Sequence, residues 1–81
     1  MRHSQLRAFH FVATYGSFSV AAERLKISQP AVSEQVKKLE KNYDTLLFRR
    51  QNKKITLTDE GRKILLLTKQ LFEVEQQIED Y

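Results

Sequence analysis

Apolar side chains return every three or four positions along most of this chain, and short polar intervals break the pattern into a few segments. Over residues 4–15, Leu6, Phe9 and Ala13 share one face, with Val12 at its edge. Gly16 follows, where a left-handed terminating residue is usual, so a first helix is predicted there. Phe11 and Tyr15 point away from that face, so this helix needs a second neighbour, either the C-terminal helix or a partner chain. Ser17-Phe18-Ser19 opens a second, short helix reaching Arg24 or Leu25, with either serine as its cap. Ala21 and Ala22 are small enough to let helices cross closely, and Leu25 and Ile27 are expected to be buried beside the turn that follows.

Lys26-Ile27-Ser28 makes a tight connection into a third helix that runs to Tyr43. Ser28 can accept from free backbone amides, and Pro30 is tolerated in a first turn. Val32, Val36, Leu39 and Tyr43 form one apolar stripe. Pro30, Ser33, Glu34, Lys37 and Lys41 cluster on the opposite side, with Gln29 at the exposed tip. Such a helix is anchored by its back and presents small or polar groups with lysines behind them, as a helix entering a groove would. A short helix, a tight turn and a second helix of this kind make a helix-turn-helix. A solvated surface helix is the competing account of the same polar face.

After Tyr43, Asp44 is expected to break the helix, and Leu46, Leu47 and Phe48 to return to the core. Two brief strands are predicted around Leu47–Arg50 and Lys54–Leu57, with Ile55 and Leu57 alternating inward. The loop Gln51-Asn52-Lys53-Lys54, flanked by Arg49 and Arg50, is a basic hairpin tip suited to phosphates or a minor groove. Standing alone, it would equally be a solvated hairpin. Thr58-Asp59-Glu60 starts a last helix with a capping hydroxyl and acids at the positive end of the dipole. From there Ile64, Leu67, Leu71, Val74, Ile78 and Tyr81 recur at alternating intervals of three and four, an a/d seam. Leu65 and Phe72 form a second stripe, expected to face the chain's own body. A helix of roughly 23 residues would be about 35 Å long, more than so small a domain covers, which favours self-association over packing on its own core alone.

Composition sharpens this picture. The 81 residues suffice for one small core, and there is no cysteine for disulfides or thiolate metal sites. The longest unbroken apolar run, Ile64 to Leu67, is far too short for a membrane span, and a soluble, cytoplasmic chain is the default expectation. The net charge of +4 is unevenly spread: residues 1–58 hold eleven Lys/Arg against four Asp/Glu, and residues 59–81 three against six. A basic body with an acidic tail points to a polyanion that meets only the body. No helix joins a basic face to a broad apolar one, so nucleic acid is favoured over a membrane. His3, in an expected frayed start, and His10, beside the core stripe, lack a second ligand at a metal spacing.

Several short segments together resemble the N-terminal domain of LysR-type transcriptional regulators. They are Gln5-Leu6-Arg7-Ala8-Phe9, Gly16-Ser17-Phe18-Ser19 with Ala21-Ala22, and Ser28-Gln29-Pro30-Ala31-Val32-Ser33. Leu39-Glu40, Leu47-Phe48 with Arg50, and Leu57-Thr58 with Gly61 extend the likeness over essentially the whole chain. The resemblance implies a mainly α fold: a winged helix-turn-helix of three helices and a two-stranded wing over residues 1–58, then a long dimerising linker helix over 59–81. It also implies a homodimer on double-stranded operator DNA, with the helix from Gln29 in the major groove and the wing on the adjoining minor groove. A C-terminal effector-sensing domain is expected beyond this chain, so a small-molecule effector belongs there and no cofactor is expected here. RNA polymerase is an expected partner of the full-length protein. Two departures stand out: Tyr43-Asp44 replaces the family's usual Leu-Gly, and Glu34 places an acid on the groove-facing surface.

On this reading Gln29, Pro30, Ser33 and Glu34 face base edges. Ser28, Gln35, Lys37, Lys38, Arg49, Arg50, Asn52, Lys53 and Lys54 hold backbone, with Lys53 the candidate for the minor groove. Ile64, Leu67, Leu71, Val74 and Ile78 dimerise. For Glu34, acceptance from a cytosine amine competes with an intrahelical pair to Lys37 or Lys38 and with a free side chain in water. A winged-helix module binding an acidic protein is the alternative function. An enzyme has little support, because the sequence has no paired acid/base constellation and no glycine-rich phosphate loop.

Overall fold

A computed structural model describes residues 2–81. Helices α1 (Arg2–Tyr15), α2 (Phe18–Leu25) and α3 (Gln29–Tyr43) are followed by strands β1 (Phe48–Gln51) and β2 (Lys54–Leu57) and by helix α4 (Asp59–Asp80). The mainly α architecture, the hairpin and the long last helix are those read from the sequence. Ser17, not Ser19, caps α2: its side chain accepts from the Val20 amide, and the Ser19 hydroxyl bonds to Ser17.

Local chemistry ends the helices. Gly16, Lys26 and Asp44 all have left-handed φ, at 65°, 59° and 51°. After α2, the Lys26 amide donates to the Glu23 carbonyl and the Ile27 amide to the Ala22 carbonyl. After α3, Asp44 donates to Lys41 and Thr45 to Glu40 in the same pattern. Both are Schellman ends, which pair carbonyls that the helix leaves without partners. Asp44 occupies the position where the family usually has glycine.

The core joins Phe9, Val12, Ala21, Val32, Val36, Leu39 and Leu47 around Phe48, whose ring lies 5.3 Å from that of Phe9 and 5.9 Å from that of Phe18. Several expected core positions fall outside it. On α1 the buried face is Gln5, Ala8, Phe9 and Val12, which leaves Leu6 and Ala13 at its margins. Gln5 is tolerated inside because its carbonyl accepts from the Asn42 side chain at 2.8 Å. Tyr43, Ile27 and Leu46 are exposed, at 43%, 43% and 64%. Each lies at or beyond a helix end, where the chain turns away from the stripe that buries its neighbours; the Tyr43 ring instead packs under Arg2.

Polar contacts fasten the wing and α4 to this core. The Glu40 carboxylate accepts from the Leu47 and Phe48 amides at 2.7 and 3.3 Å, so α3 sets where β1 begins. Thr58, itself buried, donates its hydroxyl to the Leu46 carbonyl and accepts from the Gly61 amide. Gly61 follows from this packing: a Cβ there would fall on the Leu47 carbonyl oxygen and against the Leu57 side chain.

From that anchor α4 crosses α1. Thr68 is buried, with its hydroxyl bonded to the Leu65 carbonyl and to His10 Nδ1, and the rings of His10 and His3 pack on Phe72. Leu65 and Phe72 thus face the body as predicted. His3 is not at a frayed end, because it donates to Glu75 on α4 at 2.8 Å. Ile64, read as the head of the seam, packs against the chain's own core. Leu67, Leu71, Val74 and Ile78 remain uncovered, at 60%, 40%, 53% and 70%. The resulting body is elongated, 43 × 25 × 21 Å.

Candidate nucleic-acid interface

Burial of Val32, Val36 and Leu39 forces the other faces of α3 outward. Ser28 caps the helix by accepting from the Ala31 amide at 3.2 Å, which leaves its hydroxyl hydrogen free to donate outward. Gln29 and Pro30 are exposed and Ser33 half-buried, and neither Gln29 nor Ser33 makes a side-chain hydrogen bond among the described residues. Donors and acceptors are therefore free at the helix tip. Glu34 is engaged: Lys38 Nζ lies 3.0 Å from its Oε1, with both side chains more than half exposed. This is the i,i+4 arrangement weighed from the sequence, and it partly neutralises Lys38. Lys37 and Lys41 carry no such partner among the described residues. Gln35 turns toward α1, beside Ala8, Ile27 and Ala31, and away from the wing.

The hairpin pairs Phe48 with Leu57, Arg49 with Thr56, Arg50 with Ile55, and Gln51 with Lys54. Side chains alternate along a strand, so Phe48 and Leu57 turn to the core and Arg50 and Ile55 share their face. Arg49 and Thr56 look the other way. The Arg50 guanidinium is held 4.5 Å from the centre of the Phe18 ring, a cation–π contact that aims it along the helix-turn-helix side. Arg49 and Arg50, adjacent in sequence, thus serve opposite faces of the wing. Asn52 and Lys53 form the two-residue turn with φ of 50° and 64°, the signs a type I′ hairpin requires. Lys53 takes the second position, where glycine is the usual residue.

Between the α3 tip and the wing runs a groove of about 520 Å³, whose walls include Gln29, Arg50, Lys53 and Lys54. Ser17 and Ser19 line it as well. In the sequence those serines carry only a capping signal, and nothing local brings the start of α2 beside the wing. His10 has a pKa below its usual value, through burial first and then the nearby charges of Lys69 and Arg7. It belongs to the α1–α4 contact and not to this face. Among the described residues no group of three or more His, Cys, Asp or Glu is placed to hold a metal ion, and no helix is long and apolar enough to cross a membrane.

Three helices, a tight turn and a basic hairpin in this order define a winged helix-turn-helix DNA-binding domain. The pattern of the bacterial regulatory helix-turn-helix proteins of the lysR family matches residues 3–62, and the chain belongs to that family. It is 52% identical over 61 residues to a probable RuBisCO transcriptional regulator of Phaeodactylum tricornutum, covering 75% of this chain and 20% of that protein. It is 45% identical over 67 residues to the glycine cleavage system transcriptional activator of Escherichia coli K12, covering 83% and 22%. The chain thus spans about a fifth of the length of these curated relatives. Among solved structures, a complex of the CbnR DNA-binding domain with DNA superposes with a TM-score of 0.81 at 33% identity, covering 94% of this chain and 87% of that one. A complex of the BenM DNA-binding domain with catB site 1 DNA gives 0.82 at 33% identity, covering 93% and 85%.

Proposed function

We propose that this chain binds double-stranded DNA sequence-specifically, as the DNA-binding portion of a LysR-type transcriptional regulator acting in the cytoplasm. The observation that carries the proposal is the α3 tip: Gln29, Pro30 and Ser33 are uncommitted and project beside a wing bearing Arg50, Lys53 and Lys54. Gln29 and Ser33 read base edges in the major groove, and Pro30 meets a thymine methyl or a neighbouring edge. Glu34 joins them only by leaving Lys38. Ser28, Gln35, Lys37, Lys38, Arg49, Arg50, Asn52, Lys53 and Lys54 meet the backbone, Gln35 from the α1 side. Lys53 keeps a left-handed backbone where glycine would be unstrained, which favours a role for its charge at the wing tip.

The uncovered seam of α4 supports a dimer on a two-half-site operator. Its positions are symmetric about the midpoint of Phe72 and Glu73. In an antiparallel pair Leu67 therefore meets Ile78 of the second copy, and Leu71 meets Val74. Antiparallel packing also runs the two helix dipoles in opposite directions, which favours the pair. Transcriptional regulation, with RNA polymerase as a further partner, belongs to the longer protein. Selection of bound duplexes from a random pool tests the whole proposal. Two symmetric half-sites are expected; recovery of no preferred sequence would reject specific DNA recognition.

A further inference from the structure

Beyond its anchor at Thr58 and Gly61, α4 is held to the body chiefly where it crosses α1, and the outermost hold is one carboxylate. Helix α1 begins with Arg2 and His3, with Arg7 one turn further on, and has no acid in its first turn to offset the positive end of its dipole. The compensating charge comes from α4: Glu75 accepts from His3 Nε2 at 2.8 Å and from Arg7 Nη1 at 3.4 Å, one carboxylate oxygen to each. Phe72, one turn earlier, packs against the rings of His3 and His10 and lies 6.0 Å from the Arg7 guanidinium. Past Glu75 every residue of the helix is exposed. The helix is thus anchored at Gly61, held along Leu65, Thr68 and Phe72, and gripped last at the half-exposed Glu75, about 10 Å beyond Thr68 along its axis.

We infer that Glu75, gripped by His3 and Arg7, is a positioning residue that sets the angle between the DNA-reading body and α4, and through it the separation of half-sites a dimer accepts. The inference rests on the proposed dimer and adds a determinant that touches neither DNA nor the seam. The geometry makes the clamp a lever. A slack of about 1 Å at Glu75 turns the outer part of α4 by about 5° around the buried Thr68, about 10 Å earlier along the axis. In a dimer joined through α4 the two bodies swing by opposite rotations, so the error at the recognition helices adds. Because Glu75 lies between the body-facing stripe and the seam, its loss loosens the outer end of the crossing, past Thr68 and Phe72, while Leu67, Leu71, Val74 and Ile78 stay in place.

Two measurements on Glu75→Ala and Glu75→Gln test it. In the first, selected two-half-site duplexes with spacers one base pair longer or shorter are titrated against each protein. Wild type is expected to prefer one spacer sharply. Glu75→Ala should lower that preference roughly threefold or more with single-half-site affinity unchanged, and Glu75→Gln, which can still accept from His3, should fall between. In the second, the cysteine-free chain allows a spin label at Lys41→Cys, and the distance between labels in the free dimer should spread more widely in Glu75→Ala. An unchanged spacer profile and distance distribution in a dimeric Glu75→Ala would overturn the positioning role while leaving the DNA-binding proposal intact. Loss of the dimer in that variant would also overturn it, by making Glu75 part of the seam. A wild type without sequence preference would instead strike at the function proposed above.

Discussion

Asp44 carries a left-handed backbone, φ 51° and ψ 44°, at the negative end of α3, where neither its Cβ nor its carboxylate is favoured. Asp44→Gly should therefore stabilise the domain by about 0.5–1 kcal/mol in urea unfolding, since glycine adopts that conformation without strain. Glu34 offers a test of a different kind. Its pair with Lys38 is exposed and adds little stability. If the pair persists on DNA, Glu34→Ala should bind every operator variant equally or more tightly, a negative charge having left the interface. If Glu34 reads a cytosine, the same change should cost about 1–3 kcal/mol on the preferred operator and relax one symmetric pair of positions. His10 titrates below its usual 6.5 because it is buried and faces Lys69 and Arg7. The unfolded chain then binds its proton first on acidification, so the stability it contributes is complete above 6.5 and falls as pH drops toward the folded pKa. Urea unfolding of His10→Gln against wild type should show a shallower loss of stability over that acidic window.

At the scale of elements, the wing is a charged tip on a two-residue turn closing a short hairpin. Arg50 is fixed by Phe18, whereas Lys53 stands on the two-residue turn with nothing among the described residues to pair with. If each protomer makes about four phosphate contacts, log K should fall with log salt at a slope near −7 for the dimer. Lys53→Ala should flatten that slope by about 1–2 units and weaken many sequences alike. A loss confined to A·T-rich flanks would instead assign Lys53 to minor-groove reading. The recognition helix was readable beforehand because its stripe, cap and polar tip are all local. The split between Arg49 and Arg50 follows from strand alternation once Phe48 faces the core, but the seat of Arg50 on the Phe18 ring needed the tertiary fold.

For the molecule as a whole, charge and apolar surface are segregated: the basic body reads, and the α4 seam stands clear of it. Leu71→Asp should put an unpaired charge into that seam, yield monomers in sedimentation, and weaken binding to a two-half-site duplex at least about tenfold more than to one half-site. A wild type that stays monomeric at high concentration would remove the basis of this expectation.

Periodicity, caps and turn residues by themselves determined the helices, the hairpin, the inward faces of α3 and β2, and an apolar stripe along α4, because each rests on interactions within a few residues of chain. Tertiary structure decided the rest. Ile27, Leu46 and Tyr43 look like core residues by composition, yet they sit where the chain leaves the body, and burial depends on where a neighbour ends. Ile64 follows the seam's period but lies close enough to Gly61 to be claimed by the core. His3, Arg7 and Glu75 meet only because α4 folds back over α1. A bond across some seventy residues leaves no trace in local pattern, since each of these side chains alone is an ordinary surface residue.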